Sequence, residues 1–247
     1  MENIIRLTSV DSTNRYAKRL AMEGAAHKTL VMADEQTQGR GRRGRGWISP
    51  AGEGIFMSLI LRPDLPPEQV PMLSLHTALA VCMAISRVTG MEARIKWPND
   101  IVLGGRKVCG MLLEMDADAH EVRSVVAGIG VNVHQTQFPE EIAHTASSLD
   151  LLCGRRLSRM EIVRAFLTAF DEVEDAAKAN GGLFMEAYRR SSATIGQRVQ
   201  VISLTGTYTG TALDVTESGS LIVLDEEGQR REVLAADVSV RGLMGYV

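Results

Sequence analysis

A glycine- and arginine-rich segment, Gly39–Trp47, is the part of the sequence that suggests chemistry most directly. It has four arginines, four glycines and no acidic residue before its terminal tryptophan. Glycines let a backbone approach a ligand closely, and arginines donate planar, permanently charged hydrogen bonds to carboxylates and phosphates. Trp47 adds a large apolar surface that could cover a ligand. The pattern predicts a loop that is mobile when empty and that an anionic ligand orders.

Other interpretations of this segment compete with a ligand site. It could be a flexible basic surface loop without a site, or an RNA contact, because Arg-Gly segments bind RNA. The confinement of the basic charge to nine residues weighs against RNA. Gly39, Gly41 and Gly44 also match G-x-G-x-x-G. That fingerprint needs a helix at its last glycine, and the Trp-Ile-Ser-Pro that follows here does not favour one.

Two further segments have candidate site residues. Lys96-Trp97-Pro98-Asn99-Asp100 is followed, across a Gly-Gly turn, by Lys107 and Gly110. Lys107 lies between a tight turn and an apolar strand, so its ammonium could point into a cleft, although a solvated surface lysine is the commoner case. In the segment 128–133, glycines permit close backbone approach within a strand and Asn132 could contact a base edge. A bulge beside a core asparagine is the alternative.

The surrounding pattern predicts the elements that position these segments. Capping residues at 11–14 and helical spacing predict a helix to Gly24, and a capping box of Ser158 and Glu161 opens another. A buried helix is expected at 69–88 and a short helix at 183–190. Apolar and β-branched runs predict strands at 29–33, 55–61, 94–97, 101–103, 106–115 and 122–133, with a long loop over 36–54.

After Ser192 the pattern changes to short apolar runs separated by glycines, which is typical of a small all-β barrel. The valines of these runs include Val238. Residues 192–247 have four basic against seven acidic residues, whereas the rest of the chain balances at 23 against 23. We therefore expect a catalytic domain over 1–191 and a separate C-terminal domain over 192–247.

Composition limits the classes of protein and chemistry. A net charge of −3 points to neither nucleic acid nor a membrane, and no apolar run approaches the roughly 20 residues that span a bilayer. Three scattered cysteines and the absence of a signal-peptide pattern favour a reducing, cytoplasmic location. No metal centre is expected, because the five histidines (His27, His76, His120, His134 and His144) lack ligand spacing. Neither a G-x-S-x-G elbow nor a Walker phosphate loop occurs.

Taken in order along the chain, the segments resemble the motif set of the biotin–protein ligases. The residues that carry the resemblance are Ser12-Thr13-Asn14, Gln36, Gly39–Trp47, Lys96–Asp100, Lys107 with Gly110, and Gly128–Asn132. The likeness covers nearly the whole chain, including the C-terminal barrel. One departure is that many bacterial members begin with a DNA-binding winged helix, whereas this sequence starts at the ligase domain, so a monofunctional ligase without a repressor role is expected.

The resemblance implies an α+β fold of the class II aminoacyl-tRNA synthetase/biotin ligase type, with a mixed β-sheet, helices and an SH3-like C-terminal barrel. It implies that ATP and Mg²⁺ activate biotin as biotinyl-5'-AMP. The biotinyl group then passes to a lysine of a biotin carboxyl carrier protein. The expected enzyme is a monomer or a homodimer that binds neither nucleic acid nor a membrane.

The same resemblance implies roles for individual residues. The biotin site would comprise Ser12, Thr13, Asn14, Gln36, Arg40, Gly41, Arg42, Lys107 and Gly110. The ATP and adenylate site would comprise Arg40, Arg42, Arg45, Trp47, Asn99, Lys107 and Asn132, with Asp100 shaping it. Lys107 and Arg42 are the expected catalytic residues. A lipoate or octanoyl ligase is the nearest rival, and an RNA-binding module is the rival from another class.

Overall fold

The computed structural model describes residues 3–118, 121–203, 206–235 and 239–242. The chain forms two compact units: the first comprises Met1–Val70 and Val108–Val163, and the second comprises Pro71–Lys107 and Arg164–Val247. His120 and Val238 lie outside the described residues.

The described residues contain twelve strands and six α-helices. The strands are β1 (Ile4–Val10), β2 (Thr29–Gln36), β3 (Gly54–Leu61), β4 (Ala93–Lys96), β5 (Asp100–Leu103), β6 (Arg106–Ala117), β7 (Val122–Asn132), β8 (Arg198–Ser203), β9 (Gly206–Val215), β10 (Leu221–Asp225), β11 (Arg230–Val233) and β12 (Ser239–Gly242). The helices are α1 (Thr13–Met22), α2 (Pro71–Thr89), α3 (Glu140–Ala143), α4 (Leu149–Cys153), α5 (Arg159–Ala179) and α6 (Gly181–Ser191).

The first unit is built on a mixed sheet with the strand order β1-β2-β3-β7-β6. The pair β1–β2 is parallel, because α1 connects the two strands, and the other neighbours are antiparallel. Every residue of β3 is buried, as expected for a central strand with both faces covered. One face of α1 packs Ala17 and Ala21 against Val31, Ile60 and Val126. This packing fixes the start of α1 over the centre of the sheet.

The second unit contains α2, α6 and the antiparallel pair β4–β5. By length and composition alone, the segment Pro67–Thr89 could cross a membrane. This differs from the prediction that no apolar run approaches that length. Its most apolar stretch is nevertheless 67% buried within the protein. A helix that is hydrophobic on most faces and buried is a core helix, so α2 has the character that its sequence predicted.

The C-terminal part of the second unit is a five-stranded antiparallel sheet with the order β11-β10-β9-β8-β12. Alternate residues of β8, β9 and β10 are buried, including Val199, Val201, Ala212 and Val223. Gly210 allows a close crossing, since a Cβ there would lie 2.4 Å from the carbonyl oxygen of Leu224. This small sheet is the one expected of the C-terminal module.

Most of the predicted elements are confirmed with shifts of a few residues. The backbone N–H of Glu161 donates to Ser158 Oγ at 3.3 Å, so one half of the predicted capping box is present. Gly104 and Gly105 both have positive φ, as a two-residue turn requires. The sequence reading missed β1, α3 and α4, because β1 has a weak alternation of buried positions and the two helices are only one turn long.

Candidate functional site

A patch of buried polar side chains surrounds the start of α1 in the first unit. Ser12, Thr13 and Asn14 are all at most 4% exposed. Both the backbone N–H and the hydroxyl of Thr13 donate to Gln36 Oε1, at 2.9 and 3.0 Å. Ser12 occupies the N-cap position, but its side chain makes no capping hydrogen bond, so its hydroxyl is not committed to the helix. Neutral donors and acceptors are concentrated here.

Ser58 connects this patch across the sheet. It is fully buried in β3, and its Oγ lies 2.8 Å from Thr13 Oγ1 and 2.6 Å from Asn14 Oδ1. Asn14 Nδ2 donates to the carbonyl of Leu112 at 3.2 Å and to Glu114 Oε2 at 2.8 Å. Hydrogen bonds to two strands, β3 and β6, therefore hold the Asn14 amide in a single orientation.

The Gly39–Trp47 segment forms a loop that closes on itself. Arg40 and Gly46 pair as an antiparallel bridge, Trp47 N–H donates to Gly39 O at 2.9 Å, and Gly41 N–H donates to Arg45 O at 2.7 Å. Residues Arg42–Gly44 form one turn of 3₁₀ helix, in which Arg43 has a left-handed φ of 57°. Arg43 and Arg45 are exposed, whereas Arg42 is half-buried. The loop therefore has internal hydrogen bonds of its own. That an anionic ligand orders it stays a prediction.

The C-terminal end of the loop is joined to the polar patch through Ser49. Gln36 Nε2 donates to Ser49 Oγ at 2.9 Å, and Ser49 Oγ donates to the carbonyl of Trp47 at 3.1 Å. Gly39 fits tightly here, since a Cβ would lie 2.2 Å from the Trp47 carbonyl oxygen. Gln36 thus contacts both Thr13 and the loop's anchor.

The N-terminal end of the loop is held by Glu114. Arg40 Nη2 lies 2.9 Å from Glu114 Oε1, and Lys18 Nζ of α1 lies 3.3 Å from the same oxygen. The Glu114 side chain is 15% exposed. Burial by itself raises the pKa of Glu114, but the Asn14 hydrogen bond and the charges of Lys18 and Arg40 outweigh it and hold the pKa below its usual range. Glu114 is therefore a carboxylate at neutral pH.

Two glycines of β7 make room for side chains of the site. A Cβ at Gly128 would lie 2.2 Å from Asn14 Oδ1, and one at Gly130 would lie 2.5 Å from the Trp47 ring. Gly130 also pairs with Gly110 of β6 in the ladder. The glycines of both predicted segments therefore leave a sheet surface without side chains, and Trp47 packs on this surface at Gly130.

Asn132 ends β7 and is buried. Its Nδ2 donates to the carbonyl of Ser147 at 3.1 Å, just before α4 begins. Among the described residues, this is the hydrogen bond seen for the Asn132 side chain, and it uses the amide nitrogen rather than Oδ1. The asparagine is oriented by the backbone, which fits either interpretation that the sequence allowed.

The remaining predicted residues lie in the second unit. Lys107 Nζ and Asp100 Oδ1 are 2.7 Å apart, with side chains 25% and 15% exposed. Trp97 is buried: its backbone N–H donates to Thr194 Oγ1 at 3.0 Å, and its indole N–H donates to Gly219 O at 2.9 Å. Asn99 lies between Trp97 and Asp100, half-buried. Lys107 is therefore held by a carboxylate rather than being a freely solvated surface lysine.

No group of three or more metal-ligating side chains occurs in the described ranges. Mg²⁺ that accompanies a nucleoside triphosphate needs only one or two protein carboxylates, because phosphates and waters supply its other ligands. The donor set is compatible with such an ion, and we assign no residue to it. The cationic side chains Arg40, Arg42, Arg45 and Lys107 are the groups suited to the phosphates.

Sequence reasoning missed three residues that organise the site: Ser49, Ser58 and Glu114. Ser58 had a usable signal, since it is the one polar residue in the otherwise apolar run 54–61. Glu114 had none, because an acidic residue near the end of a strand is usually solvated.

A cationic glycine-rich loop that is joined to a neutral polar patch on a mixed sheet is suited to a ligand with one anionic and one polar, uncharged end. The Biotin/lipoate A/B protein ligase family model matches residues 7–132, and the Biotin protein ligase C terminal domain model matches residues 194–241.

Relatives extend the similarity to nearly the whole chain. The "Bifunctional ligase/repressor BirA" of Bacillus subtilis is 38% identical over 97% of this chain and 74% of its own length. The "Biotin--[acetyl-CoA-carboxylase] ligase" of Paracoccus denitrificans is 34% identical over 96% of this chain and 100% of its own. The biotin protein ligase of Aquifex aeolicus, solved in complex with biotin and ATP, has a TM-score of 0.83 at 32% identity, covering 98% of this chain and 100% of the other. The chain belongs to the biotin/lipoate protein ligase family.

Proposed function

We propose that this protein activates biotin with ATP to biotinyl-5'-AMP and transfers the biotinyl group to a lysine of a biotin carboxyl carrier protein. The enzyme forms a carbon–nitrogen bond. The observation that carries the proposal is the match, over nearly the full chain, to ligases that act on biotin, one of them solved with biotin and ATP. The polar patch and the cationic loop supply the chemistry that such a reaction needs.

In the proposed site, the polar patch binds the uncharged end of biotin. The ureido ring has two N–H donors and one carbonyl acceptor, so it needs neutral partners. Thr13, Asn14 and Gln36 offer hydroxyl and amide groups that the surrounding hydrogen bonds hold in place. Ser12 adds a hydroxyl that does not cap the helix. Fixed partners lose little entropy when a ligand binds, which favours affinity.

The cationic residues bring two anions together. A carboxylate must attack the α-phosphate of ATP, and both groups are negative, so the reaction requires positive charge near both. We assign Arg40 and Arg42, with Gly41 between them, to the biotin carboxylate and the phosphate, and Gly110 to the sheet surface below. We assign Lys107 to the biotin carboxylate and the α-phosphate, where charge develops in the adenylation step. Asp100, 2.7 Å from Lys107, holds the ammonium in one position.

Other residues of the proposed site bind the nucleotide or exclude water. Trp47 covers the adenylate, Asn132 contacts the base, Arg45 binds phosphate, and Asn99 shapes the nucleotide end. An acyl-adenylate hydrolyses readily, so the site must exclude water until the carrier lysine attacks. The Gly39–Trp47 loop is the segment suited to cover it.

The domain division and cellular context belong to the same proposal. We propose a catalytic domain over 1–191 and a C-terminal domain over 192–247, which the separate family match at 194–241 supports. We further propose a cytoplasmic enzyme that acts as a monomer or homodimer and binds neither nucleic acid nor a membrane.

Biotin-dependent exchange of labelled pyrophosphate into ATP tests the function. Exchange with biotin and none with lipoate or octanoate supports a biotin ligase. Exchange with lipoate or octanoate instead indicates the other branch of the family. Absence of exchange, together with salt-dependent retention of RNA on a filter, would favour the RNA-binding alternative.

A further inference from the structure

His134 and Asp150 form a mostly buried pair in the first unit, to which the proposed reaction assigns no role. His134 Nδ1 and Asp150 Oδ2 lie 2.7 Å apart, and the two side chains are 7% and 18% exposed. The other carboxylate oxygen, Oδ1, accepts from the backbone N–H of Leu157 at 2.9 Å. A carboxylate oxygen only accepts hydrogen bonds, so Nδ1 of His134 must carry the ring hydrogen.

Asp150 thereby fixes the tautomer of the neutral imidazole. A neutral ring has one N–H and one bare nitrogen, and the partner of one nitrogen decides which is which. With the hydrogen on Nδ1, the other nitrogen, Nε2, has a lone pair and no proton. Within the described ranges Nε2 has no hydrogen-bond partner, yet it is not fully shielded from solvent. The small exposed part of the ring therefore includes an acceptor.

The position of His134 along the chain places it at one end of the proposed site. On β7, Gly130 lies under the Trp47 ring, and Asn132 is the next residue on the same face, since side chains alternate along a strand. The backbone N–H of His134 donates to Glu53 O at 2.7 Å, so the chain still runs beside the start of β3 there. Two residues span at most about 7 Å, so His134 is a near neighbour of Asn132.

Asn132 and His134 have the same hydrogen-bonding character. Each side chain uses a nitrogen-bound hydrogen inside the protein, Asn132 toward Ser147 O at 3.1 Å and His134 toward Asp150. The atoms that remain, Oδ1 of the amide and Nε2 of the ring, are both acceptors. Two acceptors match an exocyclic amino group, which has two N–H donors, and they oppose a carbonyl oxygen at the same place.

We propose that His134 is a specificity-determining residue for the nucleotide: its Nε2 accepts a hydrogen bond from the exocyclic amino group of the purine. Asp150 is the positioning residue that keeps the hydrogen on Nδ1. The proposal rests on the proposed function, which places the base at Asn132. A 6-oxo purine, as in ITP, brings a carbonyl oxygen against the lone pair of Nε2 and is disfavoured.

Asp150→Asn tests the tautomer, because it keeps the shape of the side chain. Oδ1 of the new amide can still accept from Leu157 N–H, so its NH₂ group takes the place of Oδ2 and donates to His134 Nδ1. The ring hydrogen then moves to Nε2, which becomes a donor. In biotin-dependent pyrophosphate exchange, the ratio of kcat/KM for ATP to kcat/KM for ITP should fall about ten- to hundredfold. An unchanged ratio would overturn the proposal.

His134→Asn removes Nε2 and keeps a donor for Asp150, because the asparagine amide lies near the place of Nδ1. Purine riboside triphosphate, which has no group at C6, measures the advantage that the amino group gives to ATP. His134→Asn should lower this advantage about three- to tenfold. His144→Asn, at an exposed histidine of the neighbouring segment, is the matched control and should keep the wild-type advantage within about twofold. A ratio of two nucleotides on one protein does not depend on how much of it is folded, so an unchanged advantage in His134→Asn would show a structural role only.

Equilibrium binding separates this inference from the proposed function. Calorimetric Kd values for ATP and ITP, measured without biotin, require no ligation and should show the same changes of preference in both variants. If the wild type catalyses no biotin-dependent exchange but its ATP preference changes as expected in the variants, the proposed function fails and the role of His134 stands. If exchange occurs and the preferences of both variants equal that of the wild type, the role of His134 is wrong and the function stands. A wild type that binds ATP and ITP equally would also overturn the inference.

Discussion

At the scale of single residues, ion pairs with carboxylates set the positions of two cationic side chains, Lys107 and Arg40. The sequence predicts Lys107 and Arg40 as site residues, with a solvated surface cation as the alternative for each. In the structure each lies within 2.9 Å of a carboxylate that is 15% exposed. Such pairs fix where a cation stands, although they contribute little net stability. Their value in a phosphoryl-transfer site is that the charge is oriented before substrate arrives.

Lys107→Ala should mainly remove the adenylation step. Biotin-dependent pyrophosphate exchange should fall roughly 10²- to 10³-fold, because the cation assigned to the biotin carboxylate and the α-phosphate is lost. Transfer from added biotinyl-adenylate to the carrier should change much less. Arg106→Ala, at the neighbouring exposed cation, is the control and should retain exchange. Intact exchange with only carrier transfer lost would show that the role assigned to Lys107 is wrong.

Arg42→Gly should release biotinyl-adenylate faster and raise labelling of bystander lysines. Loss of a charge-assisted hydrogen bond to the ligand corresponds to about ten- to hundredfold in the release rate, which stopped-flow measures. Arg43→Gly is a close control, because Arg43 is exposed and has a φ of 57° that glycine adopts easily. A release rate for Arg42→Gly equal to that of wild type would rule out the assignment.

At the level of elements, β7 determines what can pack on the sheet. Its glycines at 128 and 130 lie on one face of the strand, since side chains alternate along it. The Asn14 amide fills the space at the first, and the Trp47 ring fills the space at the second. The two glycines of β7 therefore determine how closely Asn14 of α1 and Trp47 of the loop can approach the sheet.

Gly130→Ala should displace Trp47. The added methyl would lie 2.5 Å from the indole ring, so the ring must move, at a stability cost of about 1–3 kcal/mol. Since the chain has two tryptophans and Trp97 is 1% exposed, a change in emission would report Trp47. Gly181→Ala, where a Cβ meets nothing within 4 Å, should leave emission unchanged. Wild-type emission from Gly130→Ala would contradict the packing described.

At the scale of the whole molecule, each unit has its own buried core, and the core of the second contains an ionisable group. His76 of α2 is 5% exposed and packs edge-on against Phe184 of α6, with ring centroids 4.5 Å apart. Burial lowers the pKa of His76 from its usual 6.5 to about 4, against a smaller opposing effect of Glu174. The histidine is therefore neutral in the folded protein at any pH well above 4.

This burial makes stability depend on pH. Above pH 6.5 the histidine is neutral in both states and has no effect. Between 6.5 and about 4 the unfolded chain binds a proton that the folded chain does not, so the free energy of unfolding falls as pH falls. The decrease from pH 7 to pH 5 should be about 2 kcal/mol in urea denaturation. His76→Leu should remove that part of the decrease, and an unchanged pH dependence in the variant would show that His76 is not its source.

The sequence by itself determined the family of the protein and most of the elements of its fold. Capping residues, apolar periodicity and glycine turns are local signals, and they placed α1, α2, α5, α6 and most strands within a few residues. The order of the Gly39–Trp47, Lys96–Asp100 and Gly128–Asn132 motifs was enough to identify the family, as the comparisons confirmed.

Only the tertiary structure decided which partners those residues have. The contacts of Asn14 with Glu114 and of Arg40 with Glu114 join positions 100 and 74 residues apart. No local propensity encodes such a pairing, because it depends on strand register and on how α1 packs over the sheet. For the same reason an ordinary-looking serine in β3 and an ordinary-looking glutamate in β6 became the residues that organise the site.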